Sequence, residues 1–241
     1  VADYRFSRAD IGSGRIDLHI RRSHDNGKTW DNILKPAVMT GDGNTAVGHQ
    51  KAGYGDPCIV GDSESPRMII TSCSGTPGFF SGTRDHHQGW ARWYSNDNGA
   101  TWSEPQYIDE EFVYSKFDNS AYGPIRGWFI GSGKICQSTK TKVNKYRRLY
   151  LVGSSCRQGS NETANWVLYS DDFGETWEFL GGCDVSPMPN GDEPKAEELP
   201  DGSVLLSSRC NGGRRFNIFT FTDTKKAEGS WGEVAFSGQS N

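Results

Sequence analysis

Ser-His-Asp-Asn-Gly-Lys-Thr-Trp at residues 23–30 returns as Ser-Asn-Asp-Asn-Gly-Ala-Thr-Trp at 95–102 and as Ser-Asp-Asp-Phe-Gly-Glu-Thr-Trp at 170–177. The shared frame, Ser-x-Asp-x-Gly-x-Thr-Trp, is called the Asp box below. Its Ser and Asp side chains can hold a turn through backbone amides, Gly supplies a positive φ, and Trp offers an apolar plate to a sheet. The copies start 72 and 75 residues apart, which indicates one supersecondary unit repeated along the chain.

Each Asp box follows a strand-like run, so each is predicted to form the tip of an antiparallel hairpin. The runs before the boxes and the other predicted strands are Ile16–Ile20, Trp90–Tyr94, Trp166–Tyr169, Arg67–Ser72, Arg148–Val152, Ser203–Ser208 and Phe216–Thr222. We find no ten-residue stretch with a helical period. The sequence therefore predicts an all-β fold, and sheets repeated with such hairpins favour a β-propeller.

Composition narrows the class of protein. The 241 residues carry 26 Lys and Arg against 30 Asp and Glu, and this mildly acidic balance argues against a nucleic-acid partner. No apolar run approaches the roughly 20 residues of a membrane span. With 30 Gly, 10 Pro and 8 Trp, the chain is rich in turn formers and too aromatic for disorder. We predict a single domain over residues 1–241.

Metal and redox motifs are not evident. The six cysteines include no Cys-x-x-Cys pair, and we expect free thiols, with Cys58 and Cys73 in apolar strand-like runs. The Asp boxes lack the ligand set of an EF-hand calcium loop. His86 and His87 are expected in a solvent-exposed loop, because adjacent histidines point apart on a strand and no third ligand is in register. No cofactor is predicted.

Further motifs accompany the boxes. They are Ala-Asp-Tyr-Arg at 2–5, Gly-Asp-Pro-Cys-Ile-Val at 55–60, Glu-Pro-Lys at 193–195, Leu-Pro-Asp-Gly at 199–202 and Ser-Ser-Arg at 207–209. Together with the boxes they resemble the sialidase (neuraminidase) superfamily, above all the bacterial exo-α-sialidases. The resemblance implies a six-bladed β-propeller, of which this chain would hold about four blades.

The resemblance also implies an activity. These enzymes cleave terminal α-linked sialic acids from glycoproteins, glycolipids and oligosaccharides with retention, and they use a Tyr nucleophile in place of the usual carboxylate. A carboxylate would be repelled by the anionic sugar, whereas a neutral Tyr activated by a nearby Glu is not. No metal or organic cofactor is implied. We expect a monomer, secreted or periplasmic, whose partners are sialylated glycans.

Two carboxylates are candidates for the catalytic machinery. Asp10 lies five residues after Arg5, the spacing at which the family places its acid/base Asp on a loop, and Asp17 is the weaker rival because it falls in a strand pattern. Glu193 resembles the Glu that activates the Tyr, whose ordinary pKa near 10 makes it a poor nucleophile unaided. The neighbouring acids Asp192, Glu197 and Glu198 are interpreted as solvated or structural.

Three further residues are candidates for substrate binding. Arg209 ends an apolar strand, where an Arg is costly unless paired, and it resembles the second arginine of the family's carboxylate-binding triad. Arg5 and Asp56 resemble the residues that contact the hydroxyl at carbon 4 of the sugar. For all three, an ordinary salt bridge is the alternative interpretation.

The match leaves some family residues unplaced. The first triad arginine belongs to an Arg-Ile-Pro motif expected before Val1, and the third arginine and the nucleophilic Tyr are expected after Asn241. We therefore expect an internal fragment of the catalytic propeller, truncated at both ends and inactive alone. A non-catalytic Asp-box propeller that binds glycans or proteins, and a trans-sialidase, stay open as alternatives.

Overall fold

The computed structural model describes residues 1–7, 10–32 and 39–238 of the chain. Within them lie eighteen strands and one short helical stretch, a π-helical turn at Glu110–Tyr114 that continues as α1 at Ser115–Asp118. The strands are β1 Ala2–Arg5, β2 Ile16–His19, β3 Tyr54–Gly61, β4 Met68–Ser74, β5 Gly89–Ser95, β6 Gln106–Tyr107, β7 Ile125–Ile130, β8 Gly133–Lys134, β9 Cys136–Val143, β10 Tyr146–Arg157, β11 Thr163–Ser170, β12 Glu178–Phe179, β13 Met188–Pro189, β14 Pro194–Glu198, β15 Val204–Cys210, β16 Gly213–Asp223, β17 Glu228–Trp231 and β18 Ala235–Gly238. All seven predicted strands are confirmed.

The strands form four sheets in chain order. The first pairs β1 with β2; the second has the order β6-β5-β4-β3-β8; the third has the order β12-β11-β10-β7, with β9 and β13 added; the fourth has the order β14-β15-β16-β17, with β18 added. Apart from the parallel β3–β8 pair, the ladders are antiparallel. The all-β prediction is confirmed. The described sheets do not close into a ring, and the six-bladed count stays a prediction, as does the single domain.

Three apolar clusters hold the sheets face to face. The first cluster lies between the first and second sheets and includes Leu18 and Trp93. The second and largest lies between the second and third sheets and includes Trp90 and Trp166. The last lies between the third and fourth sheets and includes Leu206. Successive sheets stacked on successive cores are the expected packing of propeller blades. No helix in the described segments is long and apolar enough to cross a membrane.

The second and third Asp boxes form hairpin tips, as predicted. The second box joins β5 to β6 and the third joins β11 to β12, in both cases antiparallel. In the second box the carboxylate of Asp97 accepts bonds from the Thr101 amide (2.8 Å) and hydroxyl (2.6 Å), and the Ser95 hydroxyl accepts the Gly99 amide (2.8 Å). The same bonds recur in the other two boxes.

The box tryptophans differ in burial. Trp177 of the third box is fully buried, as the frame predicts, whereas Trp30 of the first box is 54 % exposed. The expectation that each Trp packs back on its sheet is therefore wrong for the first copy. There the indole N–H donates to the carbonyl of Gly27 (3.1 Å) within the same hairpin.

A fourth hairpin occupies the equivalent place in the last sheet, although it lacks the box frame. It joins β16 to β17, its turn contains Ala227 at a φ of 58°, and it ends on Trp231. The Trp231 indole N–H donates to the Leu180 carbonyl of the preceding connection (2.8 Å). Sequence reasoning missed this copy because only the Trp of the frame is retained.

Two arginines link one sheet to the turn of the next. From β5, Arg92 donates to the carbonyls of Gly174 and Glu175 in the third Asp box. From β10, the fully buried Arg148 donates to the carbonyls of Thr224 (2.6 Å) and Lys225 (3.0 Å) in the fourth hairpin. These bonds fix the rotation of each sheet on its neighbour, and so position the loops at the sheet ends.

Candidate active site

The five residues singled out from the sequence meet at one cleft of about 500 Å³. Asp10, Asp56, Glu193 and Arg209 line it, and Arg5 contacts Asp10. They come from three sheets: Arg5 ends β1, Asp56 lies in β3, Glu193 directly precedes β14, and Arg209 is near the end of β15. The cleft therefore exists only where these sheets are packed together.

Asp10 lies on an exposed loop after β1. Its side chain is 78 % exposed, and its Oδ1 is 2.9 Å from Nη1 of Arg5 and accepts the amide of Ile11 (2.8 Å). Arg5 is held from its other side by Asp3, with Nε to Oδ2 at 3.1 Å. The carboxylate is thus oriented by a fixed guanidinium while one oxygen stays open to solvent and ligand. The rival Asp17 is buried in β2, where its carboxylate binds Arg15 and the Gly41 amide.

Asp56 is the most perturbed acid of the cleft. It has a φ of 51° and lies where the register of β3 against β4 shifts, between Gly55 and Cys58. A bulge of this kind re-aims a side chain, and a non-glycine residue with positive φ is uncommon in a strand. Burial raises the pKa of the Asp56 carboxyl to about 6, with help from the carboxylates of Asp10 and Asp3. It therefore carries a proton at mildly acidic pH.

Arg209 stands between two carboxylates. Its Nε and Nη2 bind Oδ2 of Asp192 at 2.9 and 2.6 Å, and its Nη1 is 3.1 Å from Oε2 of Glu193. The backbone reinforces the pairing, because the Asp192 amide donates to the Arg209 carbonyl and the Arg209 amide donates to the Glu193 carbonyl (both 3.1 Å). The side chain of Arg209 is 55 % exposed. The expected cost of burying this residue is therefore absent.

Part of the cleft lining is aromatic, and it is called the aromatic wall below. Phe79 packs edge-to-face on Phe80 (ring centroids 4.7 Å apart) and on Phe129 of β7 (4.9 Å). The loop that carries Phe79 and Phe80 is anchored by Arg126, which donates to the Phe80 carbonyl. The lining thus combines charged and apolar side chains, which suits a ligand that has both charged or hydroxylated groups and less polar ones.

Charge is unevenly distributed in the cleft. Its described lining has four carboxylates, Asp10, Asp56, Asp192 and Glu193, against one guanidinium, Arg209, with Arg5 adjacent. Among the described residues, no three His, Cys, Asp or Glu side chains are placed to hold a metal ion. The cleft can transfer protons through its carboxyls. It can also bind a planar anion through Arg209 if the anion displaces the Asp192 carboxylate from the guanidinium.

Several sequence expectations need correction or extension. His87 is buried, not solvent-exposed: its ring stacks on Tyr114 (centroids 3.5 Å apart) and its Nε2 is 3.1 Å from Oδ2 of the buried Asp109. His86 is exposed, as expected. Asp192, interpreted from the sequence as solvated or structural, lines the cleft. The one sequence feature that could have pointed to Asp192 is its position next to Glu193.

The remaining acids and the thiols agree with expectation. Glu197 pairs with Lys134, and Glu198 accepts bonds from Ser138 and Thr139. All six cysteines are free thiols, and Cys58 and Cys73 are buried in β3 and β4.

The fold and the cleft together define a protein of Asp-box sheets with a carboxylate- and arginine-lined site at the sheet ends. Comparison with known proteins agrees. The BNR/Asp-box repeat family model matches residues 93–104 and 168–179, which contain the second and third boxes. A curated sialidase of Paraclostridium sordellii is 29 % identical over 214 residues, or 88 % of this chain and 48 % of that protein.

Solved structures give the same fold. A Hadza microbial sialidase superposes with a TM-score of 0.71 at 21 % identity, over 96 % of this chain and 42 % of its own. The intramolecular trans-sialidase from Ruminococcus gnavus superposes with a TM-score of 0.63 at 16 % identity, over 93 % and 64 %. The chain thus spans about half the length of the sialidases it matches. The repeats, the relatives and the fold support the sialidase superfamily as its family.

Proposed function

We propose that the protein of which these residues form part is an exo-α-sialidase, a retaining glycoside hydrolase that removes terminal α-linked sialic acids from glycoproteins, glycolipids and oligosaccharides. The observation that carries the proposal is the convergence in one cleft of residues as far apart in sequence as Asp10 and Arg209. The family resemblance named these residues without reference to any contact between them, and hairpin structure alone does not require them to meet.

The roles follow from the geometry and the chemistry of the reaction. Asp10, exposed and oriented by Arg5, protonates the leaving oxygen and then deprotonates water. Arg209 binds the sugar carboxylate with its planar guanidinium. Glu193 activates a Tyr nucleophile that lies outside the residues described. Asp56 and Arg5 hold a hydroxyl at carbon 4 of the sugar.

The electrostatics of the cleft bear on this assignment. Four lining carboxylates exceed the two nearby guanidiniums, so an anionic sugar is attracted only if further cations complete the site. The family resemblance supplies two more arginines, both outside the present sequence. We therefore propose that this chain alone does not turn over sialosides, and that the complete protein does, without a metal or organic cofactor.

A second candidate function is transfer in place of hydrolysis. It is favoured by one observation, the structural likeness to the intramolecular trans-sialidase from Ruminococcus gnavus. A non-catalytic Asp-box protein that binds glycans is the third candidate, and it would need neither Asp10 nor Glu193. We also propose a secreted or periplasmic location and a monomeric state, which cell fractionation and sedimentation would test.

The deciding experiment is an assay of the complete protein on sialyllactose, with the products followed by proton NMR. Release of the α-anomer of free sialic acid supports hydrolysis with retention, and an anhydro product supports intramolecular transfer. Asp10→Asn should lower kcat by at least about a hundredfold. The control is Asp201→Asn, because the Asp201 carboxylate binds Ser203 at the far end of the β14–β15 hairpin. If the unsubstituted protein forms no product, the sialidase and trans-sialidase functions are excluded, and the glycan-binding function is the candidate that stays.

A further inference from the structure

Gln88 is a polar residue of the cleft that none of the roles above uses. It lines the cleft next to the aromatic wall's loop, directly before β5, and its side chain is almost fully buried, with 2 % of the residue exposed. Its Oε1 atom is buried and accepts no hydrogen bond from the described part of the chain. A buried amide oxygen without a partner is costly, and most such atoms in folded proteins are bonded.

The backbone around Gln88 is fixed, so the amide has little freedom to find a partner elsewhere. The buried Tyr114 hydroxyl donates to the Gln88 carbonyl (3.1 Å), and Tyr114 stacks on His87. His87 is itself held by Asp109 and by its Nδ1 contact with the Arg84 carbonyl (2.8 Å). This network immobilises both sides of the Gln88 peptide unit. The Gln88 backbone is therefore held in place, while its side-chain oxygen has no partner in the described chain.

We propose that Gln88 is a ligand-recognition residue, whose amide accepts a hydrogen bond from a hydroxyl or amide hydrogen on the less polar side of the bound sugar. The inference rests on the proposed function, because it takes the ligand to be a sialic acid. Arg209 supplies charge to the cleft, whereas Gln88 supplies a neutral acceptor to a lining that also includes Phe79 and Phe129. A ligand lacking the donor would leave the amide buried and unpaired, so the residue selects for ligands that carry one.

Two measurements on the complete protein test the proposal, with Gln88→Leu as the variant. Leucine keeps approximately the side-chain volume and removes the amide. If the Gln88 amide faces the ligand, the substitution should stabilise the protein but weaken ligand binding. Gln88→Leu should raise the Tm of the protein without ligand by about 3 °C, since the unpaired acceptor is gone. It also weakens the binding of free N-acetylneuraminic acid about tenfold, since one buried hydrogen bond is lost. Gln158→Leu, at an exposed glutamine, should change neither quantity.

The outcomes distinguish a failure of the Gln88 inference from a failure of the proposed sialidase function. A lower Tm for Gln88→Leu would show a structural role and overturn the inference, whatever the ligand does. Equal affinity of the unsubstituted protein and Gln88→Leu would also overturn it, while leaving the sialidase proposal intact. If the unsubstituted protein binds no N-acetylneuraminic acid, both fail. A higher Tm with weakened binding supports the inference, and Gln88→Asn, which keeps the amide, should recover part of the affinity.

Discussion

Asp192 occupies the hydrogen-bonding edge of Arg209, with its Oδ2 at 2.6 Å from Nη2 and 2.9 Å from Nε. A ligand carboxylate needs the same edge, so it must displace a resident carboxylate. The Asp192 backbone is also tied down, since its carbonyl accepts the side-chain amide of Asn165 (2.6 Å). The free site is thus already neutralised at its main anion-binding group.

The first prediction concerns this competition. Asp192→Asn should bind N-acetylneuraminic acid about fivefold more tightly, because the ion pair it removes is solvent-exposed and modest in strength. The methyl ester of the sugar, which lacks the charge, should bind both proteins alike. Titration of each ligand provides the check. Weaker binding of the acid by Asp192→Asn would mean that Asp192 orients Arg209 and does not compete for it.

The second prediction concerns pH. The pKa of Asp56 is about 6 in the folded protein against an ordinary value of 3.8, so the folded state holds this proton more tightly than the unfolded state. The contribution of Asp56 to the free energy of unfolding is therefore greatest below about pH 4, and it falls as the pH rises to 6. Asp56→Asn, which tolerates the positive φ, should be more stable than the parent at pH 7.5 by about 2 kcal/mol.

That difference should vanish at pH 4, where the Asp56 carboxyl is protonated in the folded protein. Urea unfolding of both proteins at a series of pH values measures it. Parallel stability curves between pH 4 and 8 would contradict the pKa of Asp56 and its attribution to burial beside Asp10 and Asp3.

The third prediction concerns the link between the third and fourth sheets. Arg148 is fully buried and binds both carboxylate oxygens of Asp171 (2.7 and 2.8 Å) as well as two turn carbonyls. Arg148→Met should lower the unfolding free energy by about 3 kcal/mol, because it leaves these acceptors unpaired. Arg147→Met is the matched control: it is the adjacent residue on β10, partly exposed and paired with Glu64, and should cost less than about 1 kcal/mol.

The fourth prediction concerns packing in the largest core. A Cβ at Gly153 of β10 would lie 2.1 Å from the ring of Trp128, which is fully buried and cannot move aside. Gly153→Ala should therefore cost about 2 kcal/mol through overpacking. At Gly238, no heavy atom of the described chain lies within 4 Å of such a Cβ, so Gly238→Ala should be near neutral. Equal melting temperatures for the two variants would count against this packing.

Local sequence patterns predicted the strands and hairpins well, because the causes of these elements are local. Period-two runs such as Trp90–Tyr94 and the side-chain bonds of Asp97 to Thr101 span only a few residues. The same reasoning failed at Trp30 and at the hairpin ending in Trp231. The exposure of Trp30 depends on neighbouring sheets, which a local frame does not encode. The hairpin ending in Trp231 was missed because it retains only the Trp of the frame.

For the candidate site, some residues could be named from the sequence and others only from the structure. Asp10, Asp56, Glu193 and Arg209 were singled out through resemblance, and the structure brings them together, although their roles stay predictions. Local reasoning could not find Gln88, because its interest lies in a side-chain oxygen that is buried without a partner, and only the folded structure shows that burial. Nor could it anticipate the raised pKa of Asp56, which arises from burial and from acids on another strand.

The arginines that join successive sheets recognise backbone carbonyls, a chemical group that every residue presents. Arg148 therefore holds a hairpin without the Asp-box frame in the same way as Arg92 holds one that has it. The contact between sheets therefore places no demand on the side chains of the turn. Counting Asp boxes in a sequence of this kind consequently gives a lower bound on the number of sheets whose outer hairpin is held in this way.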